Sequence, residues 1–319
     1  MMMPSVADRL SYPHDAVAWC DGELVPAASC VLPVGDAGFV LGATVTEQLR
    51  TFRGVPFLAE AHASWLEASL SLLGIQSRWP TAVIFAAVAD VATRNHGCLA
   101  ADDDLGIVVF VTPGDLPAQH GGAGGPARTV VHSFPLAFPL WANAYDAGVA
   151  LRTVTTRQVP DACWPLAAKV RSRLHYYLAD REAAAAEPGA RAVLEHLDGR
   201  VSETSTANVA IVRRSVILTP PPADALPGVS LRHVRHLAES LGLAWEARSL
   251  TTADLVTADE ILLTSTPSCV LPATRLDGRP VGEGRPGATF RRLLAAWSDS
   301  VGFDIAAQAR RLATRPAIP

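Results

Sequence analysis

Along the first part of the chain the apolar positions fall mostly at a spacing of two. Apolar runs flank Asp21-Gly22 in AVAWCDGELVPAAS, the pattern of a strand hairpin. In TVTEQLRTFRGVPFL the positions Val45, Glu47 and Leu49 share one side of a strand, and Arg53-Gly54 marks a turn. The spacing then changes. In EAHASWLEASLSLLGI, residues Ala61, Trp65, Leu66, Leu70 and Leu73 recur at helical intervals, and Gly74 is the stop. A second helix is predicted over TAVIFAAVADVATRNHG, a buried strand over LGIVVFVTPG, and a glycine-rich loop over AQHGGAGGPART.

The stretch FPLAFPLWANAYDAGVALRT is broken by prolines and carries the chain into a second domain. A helix is predicted there over residues 170–186, followed by strands over ARAVLEHLDGRVSE, with a turn at Asp198-Gly199, and over NVAIVRRSVILTPP. LPGVSLRHVRHLAESLGL reads as a glycine turn that opens a helix stopping near Gly242. DEILLTSTPSCVLPATRLDGRPVG reads as a strand, a Ser/Thr-rich turn and a closing hairpin. No internal repeat or heptad appears. The class is α+β, with two unequal domains divided as 1–138 and 139–319.

Composition narrows the function. With 319 residues, 49% of them hydrophobic, the chain has the material for a sizeable core. A net charge of −4 without a basic run argues against nucleic-acid binding. The opening MMMPSVADRL has no apolar run behind a basic segment, so no signal peptide is expected, and no run approaches the roughly 20 apolar residues of a membrane helix. The five cysteines, Cys20, Cys30, Cys98, Cys163 and Cys269, form no CxxC pair, which predicts reduced thiols, a cytoplasmic protein and no metal site. No GxSxG elbow is present, which disfavours a serine hydrolase.

One count stands out. Of 27 Lys and Arg residues, 26 are arginine, and Lys169 is the sole lysine. A genome biased toward Arg explains the 26 and leaves the exception. A lysine amine can be deprotonated near neutral pH and attack a carbonyl, which a guanidinium cannot do.

Four features then follow in order: Lys169, Glu203 in GRVSETSTANVAIV, the LPGVS turn (226–230) and the TSTPS turn (264–268). With the opening VGDAGFVLGATVTEQLRTFRGVPFLAEAHASWLEASLSLLGI, which carries Asp36, Gly38, Phe39, Gly42, Glu47, Arg50, His62 and Leu66, this order resembles the class IV aminotransferases over nearly the whole chain. That family includes branched-chain and D-amino acid aminotransferases and 4-amino-4-deoxychorismate lyase. The resemblance implies fold type IV, with a small N-terminal α/β domain and a larger C-terminal β-barrel-like domain with helices. It also implies pyridoxal 5′-phosphate as cofactor and a homodimer with each site near the subunit interface.

The resemblance assigns roles residue by residue. Lys169 forms the Schiff base and moves the proton between substrate and cofactor. Glu203 faces the pyridine nitrogen and keeps it protonated. Ser205 and Thr206 add hydroxyl contacts near the ring, and Asn208 fixes the local turn. The amides of Val229 and Ser230, at a helix start opened by Gly228, hold the phosphate with Ser265 and Thr266.

Three departures qualify it. Trp65 stands where the family has a phosphate-binding arginine, three residues after His62. Arg171, Arg173 and Arg232 are substitutes near in sequence, and Arg173 is preferred because residues 169 and 173 share a face if both are helical. Leu174 stands where the family has a tyrosine, and His175, Tyr176 and Tyr177 follow; one of them is a candidate for the ring oxygen, against the plainer reading that Tyr177 is core and His175 faces solvent. Pro113 replaces an arginine that often follows the Thr in the substrate strand, so the substrate stays open. Three activities are consistent with the residues: ping-pong transfer between an amino acid and a 2-oxo acid, a lyase-like release of pyruvate from aminodeoxychorismate, and, with Trp65 in its favour, a non-catalytic binding module.

Overall fold

A computed structural model describes residues 15–314; the opening MMMPSVADRL lies outside them. Two compact units result among the described residues, one from residues 15–137 together with Ala168–Ser172, the other from Phe138–Ala167 and Arg173–Ala313. No helix among the described residues is long and apolar enough to cross a membrane.

The first unit comprises β1 (Val17–Cys20), β2 (Glu23–Pro26), the single turn α1 (Ala37–Val40), β3 (Val45–Phe52), β4 (Val55–Pro56), α2 (Ala59–Leu73), α3 (Thr81–His96), β5 (Leu105–Thr112) and β6 (Arg128–Pro135). Its sheet runs β2-β1-β6-β5-β3-β4 and every pairing is antiparallel. Asp21-Gly22 and Arg53-Gly54 both take positive φ at each residue, the turn geometry that matches strand twist. The helices α2 and α3 cover one face of the sheet. Leu49, Leu66, Ile84, Val91, Ile107 and Val109 are closed off completely there, and each such burial contributes about 1.5–3 kcal/mol. Asn95 fixes α3 to the sheet through the amide and carbonyl of Val17, at 2.8 and 2.7 Å. The glycine-rich loop ends at Ala127, because Arg128 already belongs to β6 and is held by Asp36 and Asp115, both at 2.7 Å.

The second unit comprises α4 (Ala144–Ala147), β7 (Val149–Arg157), α5 (Leu174–Ala186), β8 (Arg191–Glu195), β9 (Val201–Thr204), β10 (Asn208–Arg213), β11 (Val216–Thr219), α6 (Val229–Ser240), β12 (Ala244–Ala247), α7 (Thr252–Val256), β13 (Glu260–Ser265), β14 (Cys269–Leu276), β15 (Arg279–Pro280), α8 (Ala288–Val301) and α9 (Ile305–Leu312). The strands run β12-β11-β10-β13-β14-β7-β8-β9, and β9 returns to β10 through the Glu203–Asn208 pair, closing a six-stranded barrel. The hairpin between β10 and β11 turns on Arg214-Ser215, both at positive φ without a glycine. Against β7 and β8, α5 packs Ala179 and Ala183.

The predicted helix over 170–186 begins four residues late. Residues 168–172 are extended instead: Val170 bridges Val45, the Lys169 carbonyl accepts from Thr46 N at 3.0 Å, and Arg171 N donates to Thr44 O at 3.0 Å. Sheet-like pairing with the start of β3 overrides the local helical pattern. Arg173 is the N-cap of α5, so Lys169 and Arg173 share no helix face.

Candidate active site

In the first unit the cluster around Lys169 grows from β3 and α2. Glu47 lies between Val45 and Leu49 on the side of the strand that meets the helices, and it is 1% exposed. A lone carboxylate in such a place is costly. His62, 2% exposed on α2, answers it with Nδ1 at 2.7 Å from Glu47 Oε2. Lys169 Nζ stands 3.7 Å from the same oxygen and keeps 23% side-chain exposure. Glu47 Oε1 is buried without a hydrogen-bond partner. The Lys169 backbone is pinned from the helix side as well, its N–H donating to Ser69 Oγ at 3.2 Å. The one lysine amine of the chain is thus anchored by its backbone and faced by a buried carboxylate.

Asp36 and Gly38 support this corner. The buried Asp36 carboxylate caps α1 at Gly38 N, 2.7 Å, and accepts from Thr112 Oγ1 at 2.9 Å. A Cβ on Gly38 would come within 2.4 Å of Thr112 and 2.6 Å of Thr44 Oγ1, so the close approach requires glycine.

In the second unit Glu203 sits at the barrel's closing seam, 7% exposed. Tyr176 OH donates to its Oε1 at 2.6 Å and Asn208 Nδ2 to its Oε2 at 3.0 Å. Gln158 Nε2 in turn donates to the Tyr176 oxygen at 3.0 Å and to Ser202 Oγ at 3.1 Å. Burial, then the Glu203 charge, push the Tyr176 phenol well above its ordinary range, so it stays a donor. Both oxygens of the carboxylate are fixed by donors, and its direction is fixed with them.

The strand register extends the row. Asn208 pairs with Glu203 on one side and with Thr264 on the other, and Thr264 Oγ1 is buried with no hydrogen-bond partner. Asn208 also donates to Leu226 O at 2.7 Å and lies under Gly228, where a Cβ would meet Asn208 Oδ1 at 2.1 Å. Gly228 is the N-cap of α6 and offers no side chain, so the first amides of that helix, at Val229 and Ser230, are open to an anion. Ser265 Oγ lies 2.8 Å from Ser268 Oγ, just past Thr264, and Thr266 follows in the same turn.

Glu203, Asn208, Thr264 and the α6 N-terminus therefore form one group in the second unit, with Ser205 and Arg173 beside it: Arg173 donates to the Ser205 carbonyl and its guanidinium lies 4.7 Å from the Tyr176 ring centre. Lys169 belongs to the first unit. Of the three residues after Leu174, Tyr176 is the one that engages a site residue. Tyr177 is 60% exposed, not core. His175 is half-buried against Tyr176 and Trp164, with ring centres at 3.9 and 6.2 Å, and burial followed by the Arg173 charge depress its pKa to about 4. Sequence reasoning gave no role to Gln158 or to the Glu47–His62 pair. The signals for the pair were their place among the residues that carry the family resemblance and a spacing that marks both as inward-facing.

Comparison with known proteins adds the following. The family model described as amino-transferase class IV matches residues 44–276. A D-alanine aminotransferase from Bacillus licheniformis is 28% identical over 283 residues, covering 88% of this chain and 95% of that protein. A branched-chain amino acid aminotransferase structure from Escherichia coli superposes with a TM-score of 0.82 at 24% identity, covering 91% of this chain and 95% of the other. A branched-chain amino acid aminotransferase from T.th., solved with pyridoxamine 5′-phosphate, gives a TM-score of 0.80 at 25% identity, covering 90% of this chain and 95% of the other.

Proposed function

The chain belongs to the amino-transferase class IV family, and from that premise we propose how its residues divide the work. The reaction is transfer of an amino group between an amino acid and a 2-oxo acid, with pyridoxal 5′-phosphate as cofactor. The residues present suit that group: one amine beside a buried carboxylate, one carboxylate with both oxygens fixed, and a helix N-terminus next to the unpartnered Thr264 hydroxyl. The cofactor, when bound, supplies the electron sink for a carbanion at the substrate α-carbon.

Lys169 would hold the cofactor through Nζ, and its amine, when free, would carry the proton at the substrate α-carbon. Glu47, 3.7 Å from Nζ, orients that amine. Glu203 would face the ring nitrogen, where a negative charge would favour the protonated form. Tyr176 and Asn208 keep it aimed. Val229 and Ser230 at the start of α6, with Ser265 and Thr266, hold the phosphate, and Ser205 and Arg173 line the same side. Arg173 is the candidate for the place of the arginine that Trp65 replaces, on its position beside Ser205 and Tyr176 and not on a helix face shared with Lys169. The protein works in the cytoplasm as a homodimer; Leu174, Tyr177 and Leu178, exposed together on α5, support a subunit contact there.

The observation that carries this reading is the Glu203 carboxylate, held at both oxygens on the seam of the barrel. Its test is amino transfer to 2-oxoglutarate from a panel that includes D-alanine and branched-chain L-amino acids, beside pyruvate release from aminodeoxychorismate. Transfer is expected from at least one donor, and none after Lys169→Ala. Pyruvate release without transfer, or no turnover of any donor, counts against it.

A further inference from the structure

The β1–β2 hairpin folds the chain back on itself, and the short 3-10 turn Ala27–Ser29 that follows is tied to it by Ala27 N to Ala16 O at 2.8 Å. Cys30 closes that turn, its N–H donating to Ala27 O at 3.2 Å. This route brings the Cys30 sulfur to 3.3 Å from the sulfur of Cys20, the last residue of β1, ten positions earlier. Both thiols are half-buried, whereas Cys98 and Cys163 are exposed and Cys269 is buried.

We propose that Cys20 and Cys30 form a dithiol modification site that a peroxide converts to an intrachain disulfide and a dithiol reductant restores. A disulfide needs its sulfurs about 2.0 Å apart, so they must close by roughly 1.3 Å, a shift that side-chain rotation and a small movement of the hairpin supply. The pair is also polarised. The hydrogen bond from Cys30 lowers the Cys20 thiol below its ordinary range, while the same bond, with burial, raises Cys30. Cys20 is then the attacking sulfur. Its thiolate attacks one peroxide oxygen, the O–O bond breaks and hydroxide leaves, giving a sulfenic acid. Cys30 attacks that sulfur, the S–S bond forms, the S–O bond breaks, and water leaves with the Cys30 proton. The two thiols supply two electrons, and the peroxide ends as two waters.

The test uses the full chain carrying Cys98→Ser and Cys163→Ser, treated with limiting hydrogen peroxide. Trypsin leaves both cysteines in one peptide ending at Arg50, so cleavage after Glu23 is added to separate them. The expected result is joint loss of both thiols, a linked pair of fragments about 2 Da lighter than the two reduced fragments, and full recovery with dithiothreitol. Cys30→Ser is expected to stop at a Cys20 sulfenic acid that a nucleophilic trap labels, and Cys20→Ser to slow oxidation of Cys30 at least tenfold. Peroxide oxidation that carries Cys20 to sulfinic acid while Cys30 stays free, or links only between chains, overturns the proposal, and the mapping of the parent chain decides this even if a serine variant fails to fold.

Discussion

Asn208 ties Glu203 to the start of α6, and two substitutions there separate geometry from charge. Asn208→Ala removes one hydrogen bond to a carboxylate and one to the Leu226 carbonyl, at 3.0 and 2.7 Å. At about 1.5–3 kcal/mol for the first and about 0.5–1.5 for the second, the loss is roughly 2–4.5 kcal/mol. Asn208→Asp keeps the shape, loses the same donors and sets a second carboxylate about 3 Å from the first. At an effective dielectric near 20 the repulsion is roughly 5.5 kcal/mol. Retaining one proton limits it: at pH 7, about three units above an ordinary carboxylate pKa, that costs about 4 kcal/mol. The shared proton raises a folded-state pKa, so the excess penalty is absent below the unfolded value and grows as pH rises. Urea midpoints at pH 5 and pH 7 measure it. The Asp variant is expected to fall below the Ala variant by about 4 kcal/mol at pH 7 and by only about 1.4 kcal/mol at pH 5. An Asp variant no worse than Ala, or an excess that does not change with pH, refutes the described geometry at the seam.

Other consequences are as direct. His62→Leu leaves the buried Glu47 with Lys169 at 3.7 Å in place of its 2.7 Å partner and is expected to cost about 1.5–3 kcal/mol in urea unfolding, while His62→Leu with Glu47→Leu recovers most of it; additive losses contradict the pairing. Tyr176→Phe removes a 2.6 Å donor to Glu203. A loss of about 2 kcal/mol in the transition state is roughly 30-fold in kcat with little change in KM, and an unchanged kcat contradicts the role. His132 has its pKa lowered to about 4 by burial and then by the Arg171 charge. The unfolded chain therefore binds the extra proton first, so its contribution is intact above about pH 6.5 and is lost as pH falls toward 4. His132→Leu is expected to flatten the urea midpoint over that range, and an unaltered slope shows that His132 is not the source.

Local chemistry made much of this fold legible. Asp21-Gly22 and Arg53-Gly54 announce turns whose geometry needs positive φ, and Gly74 does take the left-handed conformation at the end of α2. The barrel's closure did not show in the pattern, because a seam between Glu203 and Asn208 is a pairing of strands and carries no periodic signal of its own. The Lys169 segment misled for a related reason. Residues 170–173 suit a helix by type, and only pairing with Thr44, Val45 and Thr46 draws 168–172 out straight. The sequence singles out Lys169 by residue type alone, and a glycine marks a close approach, as at Gly228 over Asn208. The site was illegible where the function of a side chain depends on what faces it. Glu47 and His62 are ordinary residues in sequence and become a coupled pair only once α2 lies on β3. Tyr176 rather than Tyr177 meets Glu203 because α5 starts at Leu174 and turns that face to the barrel.

Every role proposed for this site depends on Lys169 holding the cofactor. Borohydride reduction of the full chain incubated with pyridoxal 5′-phosphate, followed by peptide mapping, tests it directly. The expected result is a stoichiometric pyridoxyl adduct on the peptide that contains Lys169, together with visible absorbance that disappears on reduction. No adduct and no visible absorbance at saturating cofactor, or an adduct on any other residue, contradicts it.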